Sequence, residues 1–227
     1  MNSTTTVLSA ENVAKHYAAP GGFVPVLRKV NLAIKEGEFI IITGPSGSGK
    51  TTFLNLAGLL DKPSSGRMIF DGEDTTCMNE DQLCEARKHK VGMVFQKFCL
   101  LAHRSALENV VFRFRYMGQD TGEVRRKSED ALKAMGLADL AWKPARLLSS
   151  GEQQRVAIAR AVAVKPRILL ADEPTGNLDR PAACAVMECF RQLNRGGITI
   201  VMVTHNEALL TYATRHVTCA DGNIVGQ

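Results

Sequence analysis

Over the first forty residues apolar blocks at Val7-Leu8, Val24 to Leu27 and Val30 to Ile34 are separated by turn residues at Pro20-Gly21-Gly22 and Glu36-Gly37. Short apolar segments punctuated in this way predict an antiparallel β layer. Pro63-Ser64-Ser65-Gly66 and Asp71-Gly72 bracket a further strand, and Phe39-Ile40-Ile41-Ile42 is a β-branched apolar run that reads as a strand ending at Gly44. The period then lengthens. Thr51 to Leu56, Asn79 to Lys88 and Ser105 to Leu140 follow a helical pattern, the last broken at Gly118 and Gly136, before strand signals return at Ile168 to Ala171 and Ile198 to Val203. A helical stretch therefore interrupts an α/β sheet. With no internal repeat, low-complexity tract or long linker, it is expected to pack against the sheet as an inserted subdomain.

One segment needs arbitration. Val156 to Val164 alternates like a strand, but it is alanine-rich, continues until Lys165-Pro166, and follows Ser149-x-x-Glu152, the pattern of a capping box. Alanine is depleted in strands and favoured in helices, so a helix opening near Ser149 is the reading. Such a start can hold an anion through Ser149, Gly151 and its free N–H groups, or it can only satisfy its own backbone. The local sequence does not separate the two.

Composition narrows the class. A chain of 227 residues with 45% apolar content suits one globular unit with a sizeable core. No apolar stretch approaches the roughly 18 to 20 residues that span a bilayer, and Met1 to Thr6 is polar, without the pattern of an export signal. A soluble, intracellular chain is expected. Cys77, Cys84, Cys99, Cys184, Cys189 and Cys219 form no C-x-x-C pair, so zinc is not expected and reduced, mostly buried thiols are. Arg87-Lys88-His89-Lys90 and Arg125-Arg126-Lys127 are basic clusters in a chain of net charge +5. They can meet nucleic acid or anionic lipid, or simply solvate a helix face. Without an RNA-binding signature, and with 6% aromatic residues, the solvated face is preferred and no nucleic acid partner is expected.

The chemistry concentrates in two places. Gly44-Pro45-Ser46-Gly47-Ser48-Gly49-Lys50-Thr51 fits G-x-x-x-x-G-K-[ST] and lies between a strand and a helix. Its glycines let backbone N–H groups turn around a β-phosphate, Lys50 reaches the β/γ oxygens, and Thr51 is placed to ligate magnesium. The second is Ile168-Leu169-Leu170-Ala171 followed by Asp172-Glu173. An acid ending a buried strand beside a phosphate loop suits a second magnesium residue, and the next acid can polarise an attacking water.

With these motifs in this order, the chain resembles the nucleotide-binding subunit of an ATP-binding-cassette (ABC) transporter over nearly all of its length. Ala171 to Asp179 and Ala106-Leu107-Glu108-Asn109-Val110 are similar to the bacterial LolD/MacB/FtsE group. The resemblance implies a P-loop NTPase (RecA-like) mixed α/β sheet with an N-terminal antiparallel β layer and an inserted α-helical subdomain. The expected division is 1–95 and 165–227 for the core, and 96–164 for the helical part carrying the signature. It implies a Walker A loop at Gly44 to Thr51, a Walker B strand at Ile168 to Asp172, Glu173 as catalytic base, and Leu148 to Glu152 as signature. Gln96 resembles the Q-loop glutamine, His205 the switch histidine, and Asn177-Leu178-Asp179 the D-loop. Tyr17 occupies the place of the adenine-stacking ring, although it can equally be a core or hairpin tyrosine. The implied nucleotide set is Tyr17, Gly44, Pro45, Ser46, Gly47, Ser48, Gly49, Lys50, Thr51, Thr52, Ser149, Gly151 and Asp179. Thr51, Gln96 and Asp172 are implied for Mg2+, and Glu173, His205 and Gln96 for catalysis.

The resemblance further implies ATP buried between two cassettes, as a homodimer or a heterodimer with a related subunit. It implies separate integral membrane permease subunits, docked near Lys97-Phe98-Cys99-Leu100-Leu101, and a peripheral position on the cytoplasmic face of the inner membrane. The work served is export, lipoprotein release or mechanotransmission. A soluble ABC ATPase of DNA repair or translation, or a small-molecule P-loop kinase, competes poorly, because no coiled coil or second cassette interrupts the chain and kinases lack the signature helix. One residue departs from the family pattern: Leu148-Ser149-Ser150-Gly151-Glu152 has serine where the first signature glycine is usual. If the backbone there must come close to the partner's nucleotide or takes a positive φ, the Cβ of Ser150 costs on the order of 1 kcal/mol, weakening closure without abolishing it.

Overall fold

The computed structural model of the chain describes residues 5–226. Most of the polar start at Met1 to Thr6, and the end at Gln227, lie outside the described residues. Strands β1 (Thr6–Ala19) and β2 (Gly22–Lys35) form a long hairpin, followed by β3 (Phe39–Thr43), helix α1 (Lys50–Ala57), β4 (Ser65–Phe70) and β5 (Glu73–Asp74). Helix α2 (Glu80–Lys90) leads into β6 (Val91–Val94). The helices α3 (Ala106–Val111), α4 (Thr121–Ala134) and α5 (Ser150–Val162) come next. The chain closes with β7 (Ile168–Asp172), α6 (Arg180–Arg195), β8 (Thr199–Val203), β9 (Arg215–Ala220) and β10 (Asn223–Gly226). No helix among the described residues is long and apolar enough to cross a membrane.

Two sheets result. An antiparallel layer runs β2-β1-β4-β5, and a mixed six-stranded sheet runs β10-β9-β3-β8-β7-β6, parallel except for the β9–β10 hairpin. The expected fold class is thus present. The six-stranded sheet is buried on both faces, and the alternation of its strands sorts two cores. Phe39, Ile41, Leu169, Ala171, Ile200 and Met202 pack with residues of α3, α4, α5 and α6, whereas Ile40, Ile42, Ile168, Leu170, Val201 and Val203 pack with the β layer and α1.

Five elements escaped the sequence reading, among them the two-residue β5. β6 is four residues long and contains Gly92, where an added Cβ would meet the Ala161 carbonyl oxygen at 2.8 Å. β9 and β10 are joined at Asp221-Gly222, both with positive φ, a turn signal that was there to read. α6 carries an Asp179 N-cap and Pro181 in its first turn. The cysteine expectation needs correction: all six are free, but only Cys189 and Cys219 are buried, while Cys77, Cys99 and Cys184 are exposed on turns, loop and helix surface. The basic clusters are helix faces held by ion pairs, Lys88 with Glu85, Lys127 with Glu123 and Arg125 with Glu129, and by a hydrogen bond between His89 and Glu85.

The segment between β6 and α3 is anchored by one buried amide. Asn109 Oδ1 accepts from the Leu101 N–H at 2.7 Å, and its Nδ2 donates to the carbonyls of Leu101, Arg104 and Ser105. Asn109→Ala strands these backbone groups and is expected to cost about 2–4 kcal/mol, read as a lower urea midpoint. An unchanged midpoint contradicts the anchoring role.

Candidate active site

Strand β3 runs into the loop before α1. Gly44, Gly47 and Gly49 take φ of 149°, 77° and 107°. A Cβ on Gly44 would lie 2.0 Å from the Cys219 carbonyl oxygen, and one on Gly49 2.9 Å from that of Val26. Gly44 and Gly49 are required both by torsion and by space, and Gly47 by torsion alone. Lys50 Nζ donates to the Gly44 and Pro45 carbonyls at 2.7 and 2.8 Å, which holds the ammonium over the loop. No side chain caps α1 at Gly49, so its first N–H groups remain available to an anion. Ser48 is buried, and its Oγ has no hydrogen-bond partner among the described residues.

Strand β7 delivers the acids. Thr51 Oγ1 donates to Asp172 Oδ1 at 3.3 Å. Burial, reinforced by the charge of Glu173, pushes the Asp172 carboxyl above its ordinary range, against the opposing pull of Thr51 and Lys50. Glu173 has a left-handed φ of 45°, held by its N–H donating to the Val203 carbonyl at 3.0 Å. A non-glycine residue held there stores strain of order 1–3 kcal/mol. The turn brings its carboxylate to the end of β8, where Oε2 accepts from Thr204 Oγ1 at 3.0 Å and Oε1 from His205 Nδ1 at 2.9 Å. The Glu173 side chain is 15% exposed and that of His205 70%, so the pair leads from the wall of the site to its mouth.

Together these elements enclose a cleft of about 540 Å³. Ser46, Gly47, Gly49, Lys50, Thr51, Thr52, Gln96, Asp172, Glu173 and His205 line it, with Val26 of β2 opposite. Thr51, Asp172 and Gln96 present hard oxygen donors, a set that suits Mg2+. The loop glycines, the uncapped start of α1 and Lys50 suit a polyphosphate.

The family model for ABC transporters matches residues 27–176. The chain belongs to the ABC transporter family. It is 42% identical over 221 residues to the lipoprotein-releasing system ATP-binding protein LolD of Aquifex aeolicus, covering 97% of each chain. It is 40% identical over 219 residues to the macrolide export ATP-binding/permease protein MacB of Bartonella quintana, covering 96% of this chain but 33% of that one. The dimeric structure of the ABC transporter cassette MJ0796 superposes with a TM-score of 0.87 at 41% identity, covering 96% of both chains. The same cassette is known in a dimeric post-hydrolysis state bound to ADP and Pi. The chain is therefore an ABC-type ATPase cassette, and a soluble ATPase of repair or translation is not favoured.

Of the residues named from the sequence, Gly44, Pro45 and Ser48 belong to the phosphate loop behind the cleft wall, whereas Tyr17, Ser149, Gly151 and Asp179 stand off it on other elements. Tyr17 is 41% exposed, its hydroxyl donates to Asp61 Oδ2 at 2.9 Å, and Lys15 Nζ sits 4.9 Å from its ring centre. Ser149 caps α5. Its N–H donates to Glu152 Oε2 at 2.7 Å, and its Oγ accepts from the Glu152 N–H at 3.3 Å. Gly151 is packed so closely on α6 that a Cβ would fall 2.9 Å from that of Ala182. Asp179 caps α6 by accepting from the Ala182 N–H. The positive φ considered at Ser150 is not present: it opens α5 in the exposed first turn and is not among the residues with positive φ. Thr204 and Val26 were missed by the sequence reading. Thr204 follows β8 as Asp172 ends β7, which was a usable signal; Val26 had none.

Because the folded state raises the Asp172 pKa, this group's contribution to stability is present below the ordinary carboxylate pKa and is lost as pH rises through the raised value. Without nucleotide or metal, the melting temperature of Asp172→Asn minus that of wild type should therefore grow as pH rises from about 4. A flat or falling difference would falsify the assigned burial.

Proposed function

We propose that this chain binds and hydrolyses ATP between two cassettes to drive separate membrane subunits. The observation that carries the reading is the division of the motif residues. One set lines the cleft, while Ser149 and Gly151 open α5 outside it, so a second copy completes the phosphate site. Gly44 to Thr52 and Lys50 hold the β- and γ-phosphates. Tyr17, tied by Asp61 and Lys15, offers the free part of its ring to adenine. Thr51, Gln96 and Asp172 hold Mg2+, which when bound neutralises phosphate charge. Glu173 takes the proton of the attacking water, Thr204 and His205 fix both of its oxygens, and the exposed edge of His205 meets the γ-phosphate. Ser149 and Gly151 close on the nucleotide of the opposite copy, and Asp179 couples the two sites.

ATP favours the closed pair because it binds that state more tightly, and hydrolysis releases it. The core comprises 1–95 and 165–227, and the helical subdomain 96–164 carries α5 and the contact to the permease. The permease seats at the segment Lys97 to Leu101, where Arg160 donates to the Phe98 and Cys99 carbonyls. The cassette thus works at the cytoplasmic face of the inner membrane, as a homodimer or with a related subunit. The named relatives support lipoprotein release or export as the work it drives.

Glu173→Gln should form an ATP- and magnesium-dependent dimer on a sizing column while turnover falls by about 10²- to 10⁴-fold. A monomer at saturating ATP and magnesium contradicts the mechanism. Ser150→Gly should hydrolyse ATP at the wild-type rate, since Ser150 already has helical geometry; a several-fold faster variant would show that its Cβ hinders closure.

A further inference from the structure

The phosphate loop is braced from behind by the far end of the chain. Strand β3 stops pairing with β9 at Thr43, opposite Thr218, while β9 continues to Ala220 and carries the next residue, Cys219, beneath the loop. Cys219 is fully buried there and meets the loop with two atoms. Its carbonyl oxygen lies against Gly44, where an added Cβ would fall 2.0 Å from it, and its Sγ donates to the Ser48 carbonyl at 3.1 Å. Burial pushes the thiol above its ordinary range and outweighs the opposing pull of the Ser48 bond and of Lys50, so the sulfur keeps its proton and acts as the donor. Cys219 is in turn paired with Ile224 of β10, so the brace rests on the sheet.

The peptide that the thiol holds gives this contact its consequence. The Ser48–Gly49 bond is trans, so the Ser48 C=O and the Gly49 N–H point in opposite directions within one rigid plane. A donor that fixes the carbonyl on the sheet side therefore fixes the amide on the other. Gly49 lines the cleft, and its N–H donates to no group among the described residues. Lys50 holds the Gly44 and Pro45 carbonyls from the cleft, whereas Cys219, which does not line it, holds that of Ser48 from below. A hydrogen bond to the carbonyl also polarises the peptide and makes its N–H a stronger donor.

We infer that Cys219 is a positioning residue for the triphosphate: its thiol turns the Ser48–Gly49 peptide so that the Gly49 N–H faces the phosphates before the ligand arrives. It touches no ligand atom and acts only through the loop. The inference rests on the function reading above and adds to the phosphate site a residue that no sequence motif marks. Because that peptide is set in advance, binding avoids the entropy loss of ordering it, and the gain is confined to groups seated on the loop.

Calorimetric binding to the full chain separates this role from packing. Cys219→Ala and Cys219→Ser both remove the sulfur, but only the serine keeps a donor, while Cys219→Val fills the space without one. The probes are MgATP and inorganic tripolyphosphate with magnesium, which has neither base nor ribose. Cys219→Ala and Cys219→Val should each weaken both probes about fourfold, and Cys219→Ser should stay within a factor of about two of the wild type. Melting temperatures are measured alongside, since lost packing lowers them in the alanine and serine variants alike. Equal weakening by alanine and serine, wild-type affinity in the alanine and valine variants, or weaker MgATP with unchanged tripolyphosphate binding overturns the inference. A wild-type chain that binds neither probe contradicts the function reading itself, whereas tight wild-type binding with an unaffected alanine variant contradicts only the role of Cys219.

Discussion

The constraint on which the site depends is that the parallel sheet is covered on both faces. β3 and β8 are wholly buried, and β7 is buried up to Asp172. Apart from Thr43, Asp172 and Thr199 at their ends, those strands carry only apolar side chains, so the charged chemistry is confined to their carboxyl ends. There the register sets the geometry: Asp172 stands opposite Val203, and the Thr204 N–H donates to the Ile42 carbonyl. The phosphate loop, the acids after β7 and the Thr204-His205 pair after β8 thus meet at one edge. Each fully buried Ile, Leu or Val contributes about 1.5–3 kcal/mol, so a few such side chains outweigh the 1–3 kcal/mol of strain at Glu173 and hold its carboxylate in place.

The same architecture leaves the site open on one side. α5 starts where the helical part meets α6, and its first turn is fixed by two local devices, the Ser149–Glu152 box and the close packing of Gly151 on Ala182. This helix start lies outside the wall of the chain's own cleft. It is instead suited to meeting a ligand presented by another surface, which costs less ordering entropy than a mobile loop would. On the proposed function, ATP joins two such cassettes and its hydrolysis acts on their association.

Much of this was legible in the sequence where chemistry and torsion coincide. The glycines at 44, 47 and 49 were readable because their spacing is demanded by backbone geometry, and Asp172-Glu173 because an apolar run ended in acids. α5 was readable because alanine content and a capping box overrode a strand-like alternation. Other features rest on tertiary context and left a weak trace. β6 is a strand only because β7 pairs with it, and its Gly92 argues against a strand locally. The Cys219 carbonyl that forbids a side chain at Gly44 comes from the far end of the chain. The left-handed Glu173 could not be read at all, since glutamate has no preference for that region and takes it under the pull of β8.

The central claim is that each ATP is held by two copies of this chain. Its most direct test is a crystal structure of the Glu173→Gln cassette with ATP and magnesium. The account predicts two nucleotides per pair, each with its phosphates on Lys50 of one protomer and its γ-phosphate within hydrogen-bond distance of Ser149 of the partner subunit. A nucleotide enclosed by a single polypeptide, with Ser149 of any neighbour far from it, would contradict the account.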